Sequence, residues 1–224
     1  MNELAATAAT LRLGATTQPA RTVLAVIDMQ NVFGEPGSPW LTPRFAEVVD
    51  PVRRLAEAYG PATVFTRFVA PDTPQGAWIP YYEEWSFALQ PPDAALWDVV
   101  PPLAEPAARA ELVGHVVSDT TFSKWGRLRS IVGADGRLVL CGVSTDCCVL
   151  STALAAADDG VEVVVVADAC AGVDDDSHAK ALHVMGLYAP LVRVVDLAEG
   201  LALAPGGDAL APGGDALAPS GDGP

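Results

Sequence analysis

Apolar and polar positions fall in blocks along the chain: short runs rich in β-branched residues, separated by stretches with helical spacing. Thr22-Val-Leu-Ala-Val-Ile27 is apolar on both faces, the pattern of a strand buried in a parallel sheet, and it ends in Asp28. Runs of the same kind lie at 62–69, 112–117, 137–141, 161–167 and 191–195. Between the first two, Phe45, Val48, Val49, Val52, Leu55, Ala56 and Tyr59 recur with the helical period; Gly60 is a stop signal and Pro51 an internal kink. A short helix begins at Leu128. Val149, Ala153, Leu154 and Ala157 mark another, closed by Gly160, and 174–188 is a helix with an acidic first turn. Six strands with helical segments between most of them predict an α/β fold: a Rossmann-like three-layer α/β/α arrangement on a six-stranded parallel sheet.

The remaining segments are irregular. Residues 1–20 show no period and read as a loose arm. Residues 71–92 form a long loop with Trp78, Tyr81, Tyr82, Trp85 and Phe87, a length that favours a functional loop, although the rings could equally bury against the sheet or a partner subunit. From Ala202 the chain repeats ALAPGGD, ALAPGGD and ALAPSGD; the Pro and Gly in each unit forbid a continuous helix. The expected organisation is an arm at 1–20, one catalytic domain at 21–200, and a disordered tail at 201–224.

Charge narrows the partners. With 28 acidic against 13 basic residues the net charge is −15, which disfavours nucleic acid and anionic membranes, since both need a basic face. No apolar run is long enough to span a bilayer, and residues 1–20 lack a basic start followed by an apolar block. Four cysteines without regular spacing suit a reduced, cytoplasmic protein better than a disulfide framework or a zinc ribbon.

Chemistry gathers where strands end. Asp28 follows the first strand, Lys124 lies in the loop after the third, and Cys147-Cys148 sit where the fourth strand turns into a helix. The ends of strands one, three and four are expected to lie together. A helix N-terminus favours a thiolate and can hold an oxyanion. Acid, ammonium and thiol make a nucleophilic set: cysteine attacks, aspartate takes the thiol proton, and lysine favours the thiolate. Cys141 and Cys170 read as buried hydrophobes, and His115, His178 and His183 as packing or surface residues.

Three segments carry a family resemblance: Val26-Ile-Asp28-Met-Gln30-Asn-Val-Phe33, Thr121-Phe-Ser-Lys124-Trp, and Cys141-Gly-Val-Ser-Thr-Asp-Cys-Cys148-Val-Leu-Ser-Thr-Ala153. In order and spacing they resemble the isochorismatase-like cysteine hydrolases, which include nicotinamidases and N-carbamoylsarcosine amidohydrolase. The resemblance implies Asp28, Lys124 and Cys148 as catalytic triad, with Cys148 rather than Cys147 as nucleophile because it directly precedes the valine of the motif. It further implies a cis peptide at Val143-Ser144 and an oxyanion site from the N–H groups of Ser144 and Cys148. Relatives are commonly oligomeric, so a homo-oligomer, dimer or tetramer, is expected.

Departures from the family sharpen the expectation. Nicotinamidases bind a metal through histidines after the second strand, whereas 69–92 here contains none, so neither metal nor other cofactor is expected. Isochorismate hydrolysis needs no thiol nucleophile, so Cys148 argues for cleavage of a C–N bond in a small amide or ureido compound. Gln30, Phe33, Trp78, Tyr82, Trp85 and Trp125 are candidates for the substrate side. Arg67 could meet a substrate carboxylate or form a structural ion pair. The rivals are an isochorismate-type hydrolase, a redox protein using the vicinal thiols, and a catalytically silent binding member.

Overall fold

The computed structural model describes residues 19–206. Its frame is one six-stranded, all-parallel sheet in the order β3-β2-β1-β4-β5-β6. The strands are β1 (Thr22–Ile27), β2 (Thr63–Phe68), β3 (Val116–Asp119), β4 (Arg137–Val143), β5 (Glu162–Ala171) and β6 (Val192–Val195). β1 and β4 are the central pair and nearly every residue in them is buried, as their continuous apolar character requires. The helices are α1 (Asn31–Gly34), α2 (Phe45–Tyr59), α3 (Trp78–Glu84), α4 (Ala104–Glu111), α5 (Trp125–Val132), α6 (Leu150–Asp158), α7 (Asp175–Gly186) and α8 (Leu197–Ala202). α2, α4 and α8 cover one face of the sheet, α5, α6 and α7 the other. α2 keeps the predicted bounds and runs through Pro51 without a break. None of the helices among the described residues is long and apolar enough to cross a membrane.

Several boundaries differ from the sequence reading. The segment 112–117 is mostly not strand: α4, which periodicity did not reveal, ends just before it, and Leu112 and Val113 are exposed, at 87% and 55%. His115 precedes β3 and hands its carbonyl to the Phe65 amide. The long aromatic loop contains α3, and β5 runs on to Ala171, beyond the expected run at 161–167. The start of the expected tail is ordered: α8 ends at Ala202, and Leu201, Leu203 and Ala204 pack on the core. Residues 1–18 of the expected arm and 207–224 of the tail lie outside the described residues.

Strand order decides where a site can form. After β1 the chain lays β2 and β3 on one side, then returns to place β4 on the other side of β1. The switch falls between β1 and β4, and the crevice beyond the carboxyl ends of such a pair is where open α/β sheets bind ligands. β3, whose end is expected to lie with those of β1 and β4, is separated from β1 by β2.

Candidate active site

Asp28 is the first residue beyond β1 and takes a left-handed backbone conformation, φ 48°, which few residues other than glycine adopt. Its neighbours hold it there. Its N–H donates to Thr66 Oγ1 at 3.1 Å, its carbonyl accepts from the Gln30 amide at 2.8 Å, and Thr66 Oγ1 donates back to Asp28 Oδ1 at 2.6 Å. The other carboxylate oxygen, Oδ2, is buried without a hydrogen bond; it lies 3.2 Å from Lys124 Nζ. Both side chains of that ion pair are fully buried. Lys124 caps the start of α5, donates through Nζ to the Thr121 carbonyl at 2.6 Å, and sits 4.8 Å from the centre of the Phe68 ring. Lysine thus reaches the carboxylate by passing over the end of β2.

Beyond β4 the backbone turns at Val143-Ser144, a cis peptide. Gly142 precedes it with φ 108°, and a Cβ there would overlap the Ile27 carbonyl of β1, so only glycine lets the two central strands approach this closely. The helix does not start at once: Thr145–Val149 is a wide π-type turn carrying both candidate thiols. The amides of Cys147 and Val149 both donate to the Ser144 carbonyl. Asp146 does not cap the helix. Its Oδ1 accepts from Ser144 Oγ and from the Val173 amide, each at 2.8 Å, and so ties the turn to the segment after β5. Thr152 Oγ1, fully buried, accepts from the Lys124 amide at 2.9 Å and donates to the Cys148 carbonyl at 2.7 Å, locking the lysine loop to the thiol turn.

Electrostatics at the thiols reverse the sequence expectation. Hydrogen bonding to Cys147, full burial and the Asp28 carboxylate push the Cys148 thiol well above its ordinary range, against the opposing pull of Lys124. The ammonium is already compensated by Asp28, so it cannot hold a resting thiolate on Cys148. Cys147, the more exposed of the two, is shifted the other way: hydrogen bonding to Cys148 lowers its thiol. All four cysteines are free thiols.

A pocket of about 330 Å³ opens beside Cys148 and Cys147. Phe33 and Trp85 line it, as expected from sequence; five of the other candidates do not. Gln30 is completely buried and works as a bracket: its Nε2 donates to the Phe68 and Trp97 carbonyls at 3.0 and 2.7 Å, and its Oε1 accepts from the Phe68 amide at 2.8 Å. Arg67 meets neither a carboxylate nor the pocket but donates to the Trp97 and Pro92 carbonyls at 3.0 and 2.7 Å. Both satisfy backbone groups, Gln30 at the end of β2 and both residues at carbonyls of the irregular segment around Pro92 and Trp97. Tyr82 is buried within the aromatic cluster, and Trp78 packs edge-on to Tyr81 and Phe122 from behind the wall. Trp125 is buried on the α5 side and donates to Asp159 at 2.5 Å. The wall that sequence reasoning missed consists chiefly of Trp40, Leu41, Tyr81, Phe122, Asp146 and Val173. Asp72 follows β2 without a histidine neighbour, and among the described residues no group of three or more His, Cys, Asp or Glu is placed to hold a metal ion. The residues present do not fit the metal site of the nicotinamidases.

A six-stranded parallel sheet with this switch point, bearing a buried acid–lysine pair beside a thiol turn, defines a Rossmann-like three-layer α/β/α protein with a candidate site at its carboxyl edge. The isochorismatase domain model matches residues 22–199, and the chain belongs to that family of hydrolases. Its fold is similar to a cysteine hydrolase from Pseudomonas syringae pv. phaseolicola 1448A, with TM-score 0.69 and 21% identity over 84% of this chain and 94% of that one. A nicotinamidase/pyrazinamidase from Bacillus subtilis superposes with TM-score 0.63 and 21% identity, covering 79% of this chain and 100% of that one. An isochorismatase-like hydrolase from Alkaliphilus metalliredigens gives 0.62 and 18%, covering 82% and 96%. No curated protein matches the chain.

Proposed function

We propose that this chain is a metal-independent cysteine hydrolase that cleaves the C–N bond of a small amide through a thioester on Cys148. The observation that carries the reading is the buried Asp28 carboxylate, with Oδ1 held by Thr66 and Oδ2, which has no hydrogen bond, 3.2 Å from Lys124, within electrostatic reach of a protonated Cys148 that lines the pocket. The Lys124 ammonium offsets the cost of burying that oxygen, and the absence of a hydrogen bond leaves it able to accept a proton. In the first half-reaction the thiol proton passes to Asp28 as sulfur attacks the carbonyl carbon. The N–H groups of Ser144 and Cys148 stabilise the oxyanion; Asp28 then gives its proton to the departing nitrogen. In the second, Asp28 draws a proton from water as the water attacks the thioester, and the acid product leaves with Cys148 reprotonated. Because the thiol starts protonated, transfer and attack are coupled, and no free thiolate accumulates. Lys124 is never the base: it keeps the carboxylate in place and offsets the negative charge that moves between Asp28 and the oxyanion.

The test is ammonia release from a panel of primary amides and ureido acids, with mass spectrometry of the acid-quenched enzyme. The expected result is turnover of at least one amide, an adduct on the peptide containing Cys148, and loss of both in Cys148→Ser with Cys147→Ser still active. Equal dependence on both cysteines would favour the vicinal-thiol redox reading, and no turnover of any amide the silent-member reading.

A further inference from the structure

Resting on that amidase reading, we infer that the site takes carboxamides whose acyl group is uncharged and apolar, aryl or branched alkyl, and rejects amides that carry a carboxylate. The pocket wall is built of ring faces and edges, Phe33, Trp40, Phe68, Tyr81, Trp85 and Phe122, which pack on one another and leave a small apolar space. Among the described residues lining it there is no lysine, arginine or histidine, and Asp146 is the one charged side chain.

The nearby cations are committed elsewhere. Lys124 has no exposed surface and is spent on Asp28 and the Thr121 carbonyl; Arg67 is held by the carbonyls of Trp97 and Pro92. A carboxylate entering this space would shed its water against negative ring faces, beside Asp146, in the field of a chain of net charge −15. An ammonium would be drawn by the ring faces and the acidic field, but it too would shed its water, against a single carboxylate one oxygen of which already accepts from Ser144 and Val173. A neutral apolar group loses nothing on entry and gains the burial. The volume, about 330 Å³, is at the small end of the ~300–1,000 Å³ range of ligand pockets and suits a compact acyl group.

The experiment compares three amides of similar size, isovaleramide, succinamate and 3-aminopropanamide, with benzamide as the aryl probe. Binding to the full-chain Cys148→Ala variant is read from tryptophan emission, since Trp40 and Trp85 stand in the wall, and kcat/KM for ammonia release is read on the wild type. Isovaleramide and benzamide are expected to bind at least ~100-fold more tightly than succinamate, with the kcat/KM order the same. Asp146→Asn, whose amide oxygen can still accept from Ser144 and Val173, is expected to narrow the neutral-to-anionic ratio ~10-fold. Succinamate binding within ~3-fold of isovaleramide, 3-aminopropanamide binding more tightly than both, or failure of both neutral probes to bind would each overturn the inference. Neutral probes that bind selectively without releasing ammonia would overturn the amidase reading and leave the ligand class standing.

Discussion

Replacing Lys124 by methionine removes one charge from a fully buried pair whose atoms are 3.2 Å apart. At an effective dielectric of ~20 that separation corresponds to a Coulomb attraction of about 5 kcal/mol. Part of it is offset by desolvation, but deleting one partner strands the other, which in buried pairs costs about 3–5 kcal/mol. Methionine keeps most of the stem over the Phe68 ring, so the loss reports charge more than packing. For a domain of this size it lowers Tm by about 10 °C. Urea unfolding of wild type, Lys124→Met, Asp28→Asn and the double variant forms a cycle, and a coupling of about 3 kcal/mol is expected because the double variant buries no lone charge. Turnover is expected to be nearly abolished. In a Cys147→Ser background, the pH midpoint for alkylation of Cys148 by iodoacetamide moves up, since Lys124 is the one group that pulls that thiol downward. Additive single variants, within about 0.5 kcal/mol, together with an unchanged midpoint would refute the argument: the pair would then behave as exposed salt bridges do.

Other consequences are as direct. Stability falls as pH rises above about 9: burial pushes the Cys141 and Cys170 thiols up, the latter to about 12, and Cys148 is raised too, so the unfolded chain releases protons that the folded one retains; with three groups the slope approaches about 4 kcal/mol per pH unit, measurable as Tm against pH, and a flat profile to pH 10 would contradict it. Gln30→Met leaves the Phe68 amide and the Phe68 and Trp97 carbonyls without partners and costs about 3 kcal/mol in urea unfolding; unchanged stability with a raised KM would restore Gln30 to the substrate side. Gly142→Ala forces β1 and β4 apart at the Ile27 carbonyl and is expected to cost about 3 kcal/mol or more, read from soluble yield and Tm. EDTA leaves ammonia release unchanged; loss on chelation with recovery on zinc would overturn the metal-independent assignment.

The buried strands were legible because their signal is local: β1 and β4 are runs that can only sit inside a sheet, and α2 carries its period over fifteen residues, enough to survive Pro51. The positions of Asp28, Lys124 and the thiols followed, since strand ends face one edge. The pocket wall was not legible, for a specific reason. With 71–92 taken as loop, its aromatics had no assigned faces. Tyr81 in α3 and Trp85, which caps it, stand four residues apart and line the pocket together, while Trp78 and Tyr82, also four apart, pack behind them. A proline at position 80 and only seven residues hid that helix. Trp40 was passed over because it has no periodic neighbours; its place in the loop region beyond β1, on the ligand edge of the sheet, was the available signal. Gln30 and Arg67 show the opposite error: polar residues near a site were read as facing the ligand when unladdered carbonyls nearby had the prior claim.

The thiol's protonation follows from β2, the strand that the sequence reading left with little to do. β2 lies between β1, which delivers the acid, and β3, whose loop delivers the lysine. Thr66 and Phe68 alternate to one side of it. Thr66 fixes Oδ1 of Asp28, and Phe68 gives Lys124 a ring to cross while its amide and carbonyl anchor Gln30 just after the acid. The lysine loop follows β3, two strands from β1, so Lys124 crosses the end of β2 to reach the acid. Because it must span a strand, it ends on the carboxylate, the pair is neutral overall, and Cys148 meets little more than a dipole in a buried setting. A dipole opposes full burial only weakly, which agrees with the raised Cys148 thiol and with the proposed role of Asp28 as a base acting during attack. In the mechanism proposed above, this sheet order, as much as the identity of the three residues, favours concerted proton transfer over a preformed nucleophile.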